Sequence, residues 1–449
     1  MTTPADLIDA QIDAQIEDQP ETQPDTGLDE QRDAGVTPGT PNKAAVFTRP
    51  AHKQKASGTQ TASGTPGGEI SLRGRQAKAL DGILHWYQER ATQVFYLAGF
   101  AGTGKSTIVD QVIRRLRSEH GKLDVRTVTF TGKAADVLRR RGVENTSTIH
   151  SLIYRVQEDP ATGELLVELD PNSEAATCDL IVVDEASMVD EQIAEDLLSF
   201  GKPILVVADP GQLPPVHGKP GFTAGAPDVF LDEIHRQAWD NPIIRISKHA
   251  REGERIPMGD WGQGVRVMPF DATSGPYVLD RETQVICGVH RVRWALTQRM
   301  RRAFGYQSRL PEAGERVICR RNDKEAMLFN GQLGCVETPP AMPGRRRPGQ
   351  LFTMSVQVDG HDDPTETSFD PYLFDEHFAR EKLRPSAGMA SEFHHWDWGW
   401  VITGHQSQGS QWWRTTVIDD SRSFRADARR WLYTAVTRAE SEMTLLMRR

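Results

Sequence analysis

The chain has 449 residues, 53 basic and 62 acidic side chains, a formal net charge of −9 and 38% hydrophobic residues. That length allows two or three domains with sizeable cores. Four widely spaced cysteines without a CxxC pair argue against a disulfide framework or a structural zinc site. No signal peptide and no apolar run of bilayer length is legible, so a soluble, cytoplasmic protein is expected. The charge is local: ten acids and one base fall in residues 1–33, and the remainder is neutral.

Residues 1–68, rich in Pro, Gly, Thr, Gln and Asp, are expected to be a disordered acidic tail. Leu7, Ile8, Ile12 and Ile16 have helical spacing there. A frayed helix without a role is the plainer reading, and a docking segment for a replication or recombination protein the sharper one. From residue 69 strands and helices alternate. Arg75–Leu80 opens a helix, Val94–Ala98 is a β-rich apolar run, Ser106–Ile113 has helical spacing, and Val125–Phe130 is the next strand. A basic helix ends at Arg139-Arg140-Arg141. Leu165–Leu169 follows a turn at Asp159–Gly163, which predicts a β-hairpin inserted at 155–177. Leu180–Val183 and Ile204–Val207 are further buried strands, and the repetition predicts a doubly wound parallel sheet over 69–154 and 178–239.

The second half repeats the rhythm. Gln284–Cys287 is a strand, followed by a helix carrying Arg291, Arg293, Arg299, Arg301 and Arg302. Residues 309–391 break the alternation: Arg316–Cys319, an Asn330-Gly331 turn and Gly334–Val336 predict a small antiparallel barrel. Arg345-Arg346-Arg347 reads as a solvated loop. The parallel sheet is expected to resume at Trp396–Thr403 and Met443–Leu446, so a second sheet domain spans 240–308 and 392–449. Trp396, Trp398 and Trp400 alternate and share one face, for which core packing is favoured over base stacking.

Residues 99–106, Gly-Phe-Ala-Gly-Thr-Gly-Lys-Ser, match the phosphate-loop pattern between a strand and a helix. Gly99, Gly102 and Gly104 let the backbone around Ala101 and Thr103 curl its N–H groups toward phosphate oxygens. The helix beginning near Ser106 and Thr107 aims its positive end at the same anion. Lys105 is suited to the β/γ-phosphates of ATP and the Ser106 hydroxyl to Mg²⁺. Asp184, closing an apolar strand, is a second candidate Mg²⁺ ligand, and Glu185 a candidate base for the attacking water.

The ordered motifs from Gln76 to Arg438 resemble the RecD/Dda-like branch of superfamily 1 helicases, also termed superfamily 1B. Gln76 matches the adenine-reading glutamine and Gly99–Ser106 motif I. Thr131–Ala135 matches motif Ia, Thr148–Ser151 the next DNA-contacting motif, and Asp184–Ser187 motif II. Asp209–Pro215 matches motif III, Leu231–Gln237 the first arginine-finger segment, Thr403–Ser410 motif V and Tyr433–Ala439 motif VI. The resemblance implies two RecA-like doubly wound domains with an inserted hairpin pin and an inserted SH3-like barrel. It implies a motor, expected to be monomeric, that hydrolyses ATP to move 5′→3′ on single-stranded DNA and to open tailed duplexes. Gln212 would sense the γ-phosphate, Arg236 and Arg438 would be arginine fingers, and Thr131, Lys133, His150, Ser151, His405 and Ser407 would lie along the DNA. Gln406 stands where the family has Lys, Gln411 where it has Glu, and Ala208 where motif III has Gly. A translocase that does not unwind is the alternative reading. A nucleotide switch or kinase leaves Gln212, Arg236 and the late motifs unexplained.

Overall fold

The computed structural model describes residues 72, 74–158, 165–232, 240–271, 275–323, 326–341, 347, 349–385 and 393–448. The acidic tail, the Asp159–Gly163 turn, Arg345-Arg346 and the Arg236 segment lie outside them.

The first lobe is a six-stranded parallel sheet of β1 (Val94–Gly99), β2 (Val125–Thr129), β3 (Thr146–Thr148), β6 (Leu180–Val183), β7 (Ile204–Ala208) and β8 (Val229–Leu231). Their spatial order is β3-β2-β6-β7-β1-β8. The alternation of β1 explains why both faces are covered. Phe95 and Leu97 pack with Ile83, Ile108 and Leu116 of helices α1 (Arg75–Glu89) and α2 (Lys105–His120). Tyr96 and Ala98 pack on the other face with Ile149, Ile153 and Ile193. A strand buried on both sides reads as a continuous apolar run, which is how its sequence reads. The edge strand β8 was not foreseen; it has only three residues, and the last, Leu231, opens the segment read as a finger motif. The expected hairpin is present: β4 (Tyr154–Glu158) pairs antiparallel with β5 (Leu165–Leu169).

The second lobe has the strand order β17-β11-β18-β19-β10-β9. These strands are β9 (Gly259–Gly262), β10 (Val265–Pro269), β11 (Gln284–Cys287), β17 (Val401–Thr403), β18 (Trp412–Asp419) and β19 (Ala439–Met447). All pair in parallel except the edge strand β9. Helix α3 (Gly132–Arg140) belongs to the first lobe, and α4 (Pro242–Glu252) opens the second. The latter starts where Asn241 accepts the Ile243 N–H at 2.8 Å with Pro at the first position, and stops at Gly253 with φ 70°.

The expected barrel is not closed. Strands β12 (Arg316–Cys319), β13 (Leu333–Thr338), β14 (Phe352–Val358), β15 (Thr365–Phe369) and β16 (Trp396–Trp398) form an open antiparallel sheet in the order β15-β14-β13-β12-β16. Its ends touch through one isolated bridge, Phe369 to His394. Two helices pack against β16. Phe374 of α6 (Tyr372–Ala379) meets the Trp398 ring at 4.9 Å, and Arg293 of α5 (His290–Ala303) pairs with buried Asp397. Trp396–Trp398 therefore belongs to the inserted sheet, and only Val401–Thr403 rejoins the parallel one. Trp396, Trp398 and Trp400 are 0%, 0% and 2% exposed in one core, as the alternation indicated.

Candidate nucleotide cleft and nucleic-acid face

The loop between β1 and α2 curls through Gly102 and Gly104, whose φ values of 78° and 84° suit residues without a Cβ. The Lys105 ammonium folds back over it, donating to the Gly99 carbonyl at 2.7 Å and to that of Phe100 at 3.3 Å. Thr103 donates to the Phe100 carbonyl at 2.7 Å, closing the turn that begins at Ala101. Gln76 reaches from α1 to donate to the Thr103 carbonyl at 3.1 Å. Ser106 is exposed and Thr107 half-buried in the first turn of α2. A helix start, a curled backbone and a cation whose hydrogen bonds among the described residues go to loop carbonyls form a cradle that fits a polyphosphate.

Asp184 and Glu185 follow β6. Asp184 Oδ1 accepts the Glu185 N–H at 2.9 Å, and Glu185 holds a left-handed backbone at φ 53°. Burial, then the charge of Glu185, pushes the Asp184 carboxyl up to about 6. A desolvated acid pair of this kind is a donor set that a divalent cation would favour. The acid pair fits Mg²⁺, which Asp184 and Ser106 would hold.

Gln212 lies next, 6% exposed, and its Oε1 has no partner among the described residues. The second lobe closes over it. Helix α7 (Ala428–Val436) presents Tyr433 to the Ala101 N–H at 2.9 Å and Thr434 to the Leu213 N–H at 3.0 Å. Arg438 follows that helix and is 4% exposed. Its guanidinium donates to the carbonyls of Thr434 at 3.0 Å and Ser410 at 3.3 Å, and to Thr437 Oγ1 at 3.1 Å. Among the described residues it pairs with no carboxylate. A desolvated cation held only by neutral oxygens retains its attraction for an anionic ligand.

The proposed DNA residues are placed less uniformly. Thr131 caps α3, accepting the Ala134 N–H at 3.2 Å. Lys133 donates to the Gly331 carbonyl of the inserted sheet at 2.7 Å and lies over the Trp412 ring at 5.0 Å; burial lowers it to about 8. Ser151 donates to the Thr148 carbonyl at 3.1 Å. His405 is half-buried beside the Phe424 ring, and burial lowers it to about 4. Two residues are inside the lobes rather than on a surface. His150 is 3% exposed between Phe130 and Tyr154, and Ser407 is fully buried, donating to the Gly404 carbonyl at 2.6 Å.

Residues 71–262 match the AAA domain family and residues 399–446 the UvrD-like helicase C-terminal domain. The ATP-dependent RecD2 DNA helicase of Deinococcus radiodurans is 27% identical over 392 residues, covering 82% of this chain and 48% of that protein. The ATP-dependent DNA helicase dda of Enterobacteria phage T4 is 30% identical over 194 residues, covering 40% of this chain and 42% of its own length. The chain thus spans about half the length of these curated relatives. Bacteroides Pif1 bound to ssDNA shares the fold, with a TM-score of 0.50 at 18% identity over 84% of this chain and 92% of that one.

The chain is similar to the ATP-dependent DNA helicases of superfamily 1B.

Within that family pattern, the two motif V departures have local uses. Gln406 Oε1 accepts the Thr403 N–H at 3.0 Å, stapling the motif V turn. Gln411 donates to the Thr437 carbonyl at 3.4 Å, so the side chain reaching the residue before Arg438 is neutral. Tyr433, Thr434 and Arg251, whose guanidinium sits 3.5 Å from the Phe100 ring centroid, were not among the expected site residues. The demand of a buried tyrosine hydroxyl for partners was the one available signal. Among the described residues no helix is long and apolar enough to cross a membrane.

Proposed function

We propose that this chain is an ATP-driven motor that moves 5′→3′ on single-stranded DNA and opens tailed duplexes. The observation that carries the reading is Arg438, a buried guanidinium held by neutral oxygens just beyond α7, the helix whose Tyr433 reaches the phosphate loop of the first lobe. Lys105 exchanges its two loop carbonyls for β/γ-phosphate oxygens, and Gln76 fixes the loop from the adenine side. Mg²⁺, held by Ser106 and Asp184, would offset charge on the phosphates. Glu185 accepts the proton of the attacking water, and Gln212 orders its free oxygen around the reacting group. Arg438, with Arg236 as its counterpart, stabilises charge spread over the transferred group. Such arginines supply roughly 10³–10⁵-fold in related NTPases, so lobe closure gates hydrolysis.

Motion follows if the lobes alternate their grip on one strand through Thr131, Lys133, Ser151 and His405. The β4–β5 pair is the obstacle against which a duplex parts. The test is ATPase activity with and without single-stranded DNA, followed by unwinding of 5′- and 3′-tailed duplexes. Strong stimulation with preference for the 5′ tail is expected. Stimulation without unwinding of either substrate would favour the translocase reading, and no stimulation would remove the motor reading.

A further inference from the structure

Motif III and motif VI meet at a hydroxyl that no role above uses. Tyr433 is 0% exposed, with its hydroxyl at the corner of three segments. It accepts the Ala101 N–H of the phosphate loop at 2.9 Å and donates to Asp209 Oδ2 at 2.7 Å. The other oxygen of Asp209 accepts the Gly211 N–H at 2.9 Å, and the Asp209 carbonyl accepts the Gln212 N–H at 3.1 Å. One carboxylate therefore joins the hydroxyl to the turn that presents Gln212. The turn is pressed against the ring, since a Cβ on Gly211 would lie 2.9 Å from it. On the far side, the Thr434 hydroxyl holds the Leu213 N–H while its carbonyl receives Arg438 Nε at 3.0 Å.

We infer that Tyr433 is a positioning residue that ties the γ-phosphate sensor Gln212 to the finger Arg438. This rests on the nucleotide-cleft reading. The ring alone could serve packing. The hydroxyl is what bridges the lobes, because each of its two partners is in the first lobe while Tyr433 is in the second. A shift of the Asp209–Gln212 turn is thereby transmitted to α7 and to the arginine at its end. Phosphate loop, sensor and finger then move as one unit.

The test uses the full chain and Tyr433→Phe, which keeps the ring. Without nucleotide, amide hydrogen exchange across residues 99–104 is expected to quicken at least threefold, because the Ala101 N–H loses its acceptor. A non-hydrolysable ATP analogue is expected to slow exchange across 428–438 in the parent chain and much less in the variant. In turnover, kcat is expected to fall at least tenfold while KM for ATP moves less than threefold. Adding Gln212→Ala is expected to lower kcat no further than the worse single variant. Unchanged exchange at 99–104, or losses that multiply in the double variant, would overturn the assignment. Absence of analogue protection anywhere in the parent chain would instead overturn the nucleotide-cleft reading.

Discussion

Two side chains of the cleft carry charge at a cost, and each cost predicts a phenotype. Arg438 is desolvated among neutral oxygens, so Arg438→Ala should lower DNA-stimulated kcat by roughly 10³-fold or more with a smaller change in ATP binding. Comparable kcat in the variant would remove it from the finger role. Lys105→Ala should abolish turnover and Glu185→Gln should bind ATP without hydrolysing it; near-normal turnover in Glu185→Gln would reject the base. Asp184 offers a pH test. Its folded carboxyl is raised from 3.8 to about 6, first by burial and then by Glu185. Between those values the folded chain binds more protons than the unfolded one, so this group's contribution to stability falls as pH rises through the window. In Mg²⁺-free buffer at pH 7, Asp184→Asn should therefore raise Tm by roughly 2–6 °C. The gap should close below about pH 4. A variant melting no higher than the parent at pH 7 would contradict this.

At the scale of elements, the hairpin and the inserted sheet have separable duties. The β4–β5 pair is joined to the first lobe at Tyr154, whose hydroxyl bonds Asp196. Opening a base-pair step costs about 1.4 kcal/mol, so a rigid obstacle matters more than energy supply. Replacing residues 158–168 with a Gly-Ser turn should spare DNA-stimulated ATPase and suppress unwinding of a 5′-tailed duplex. Equal unwinding by both proteins would sink the pin role. The inserted sheet instead closes on α3: Lys133 bonds Gly331, Arg140 donates to the Asp359 carbonyl at 3.2 Å, and Gly132 packs where a Cβ would lie 2.8 Å from Asn322. These contacts place the motif Ia cation at the seam between α3 and the inserted sheet.

For the whole molecule, the charge belongs to one end. Residues 1–33 carry the net −9, and the body, which holds every described site residue, is neutral. Deleting residues 1–68 should leave purified DNA-stimulated ATPase and unwinding within about twofold, since a low-hydrophobicity acidic segment adds little to a packed core. A large loss in the purified protein would make the tail part of the motor. A loss seen only with cellular proteins present would support the docking role.

What the amino-acid order determined by itself was local. The all-apolar runs at Val94–Ala98 and Leu180–Val183 could only be doubly buried strands, and the loop and acids at their ends follow from that placement. Trp396, Trp398 and Trp400 announced their shared face through a period of two. Tertiary structure decided what depends on residues far apart. Whether five strands close into a barrel depends on what their edges meet, and here Phe374 and Arg293 from two helices pack against the edge strand β16. Strand β16 joined β12 rather than β17 because edge pairing is settled by register, which a three-residue strand specifies weakly. His150 and Ser407 matched contact motifs yet lie inside, because a motif fixes residue type while burial is fixed by what packs above. The Tyr433 bridge spans 332 positions to Ala101 and 224 to Asp209, a juxtaposition that only the closed lobes create.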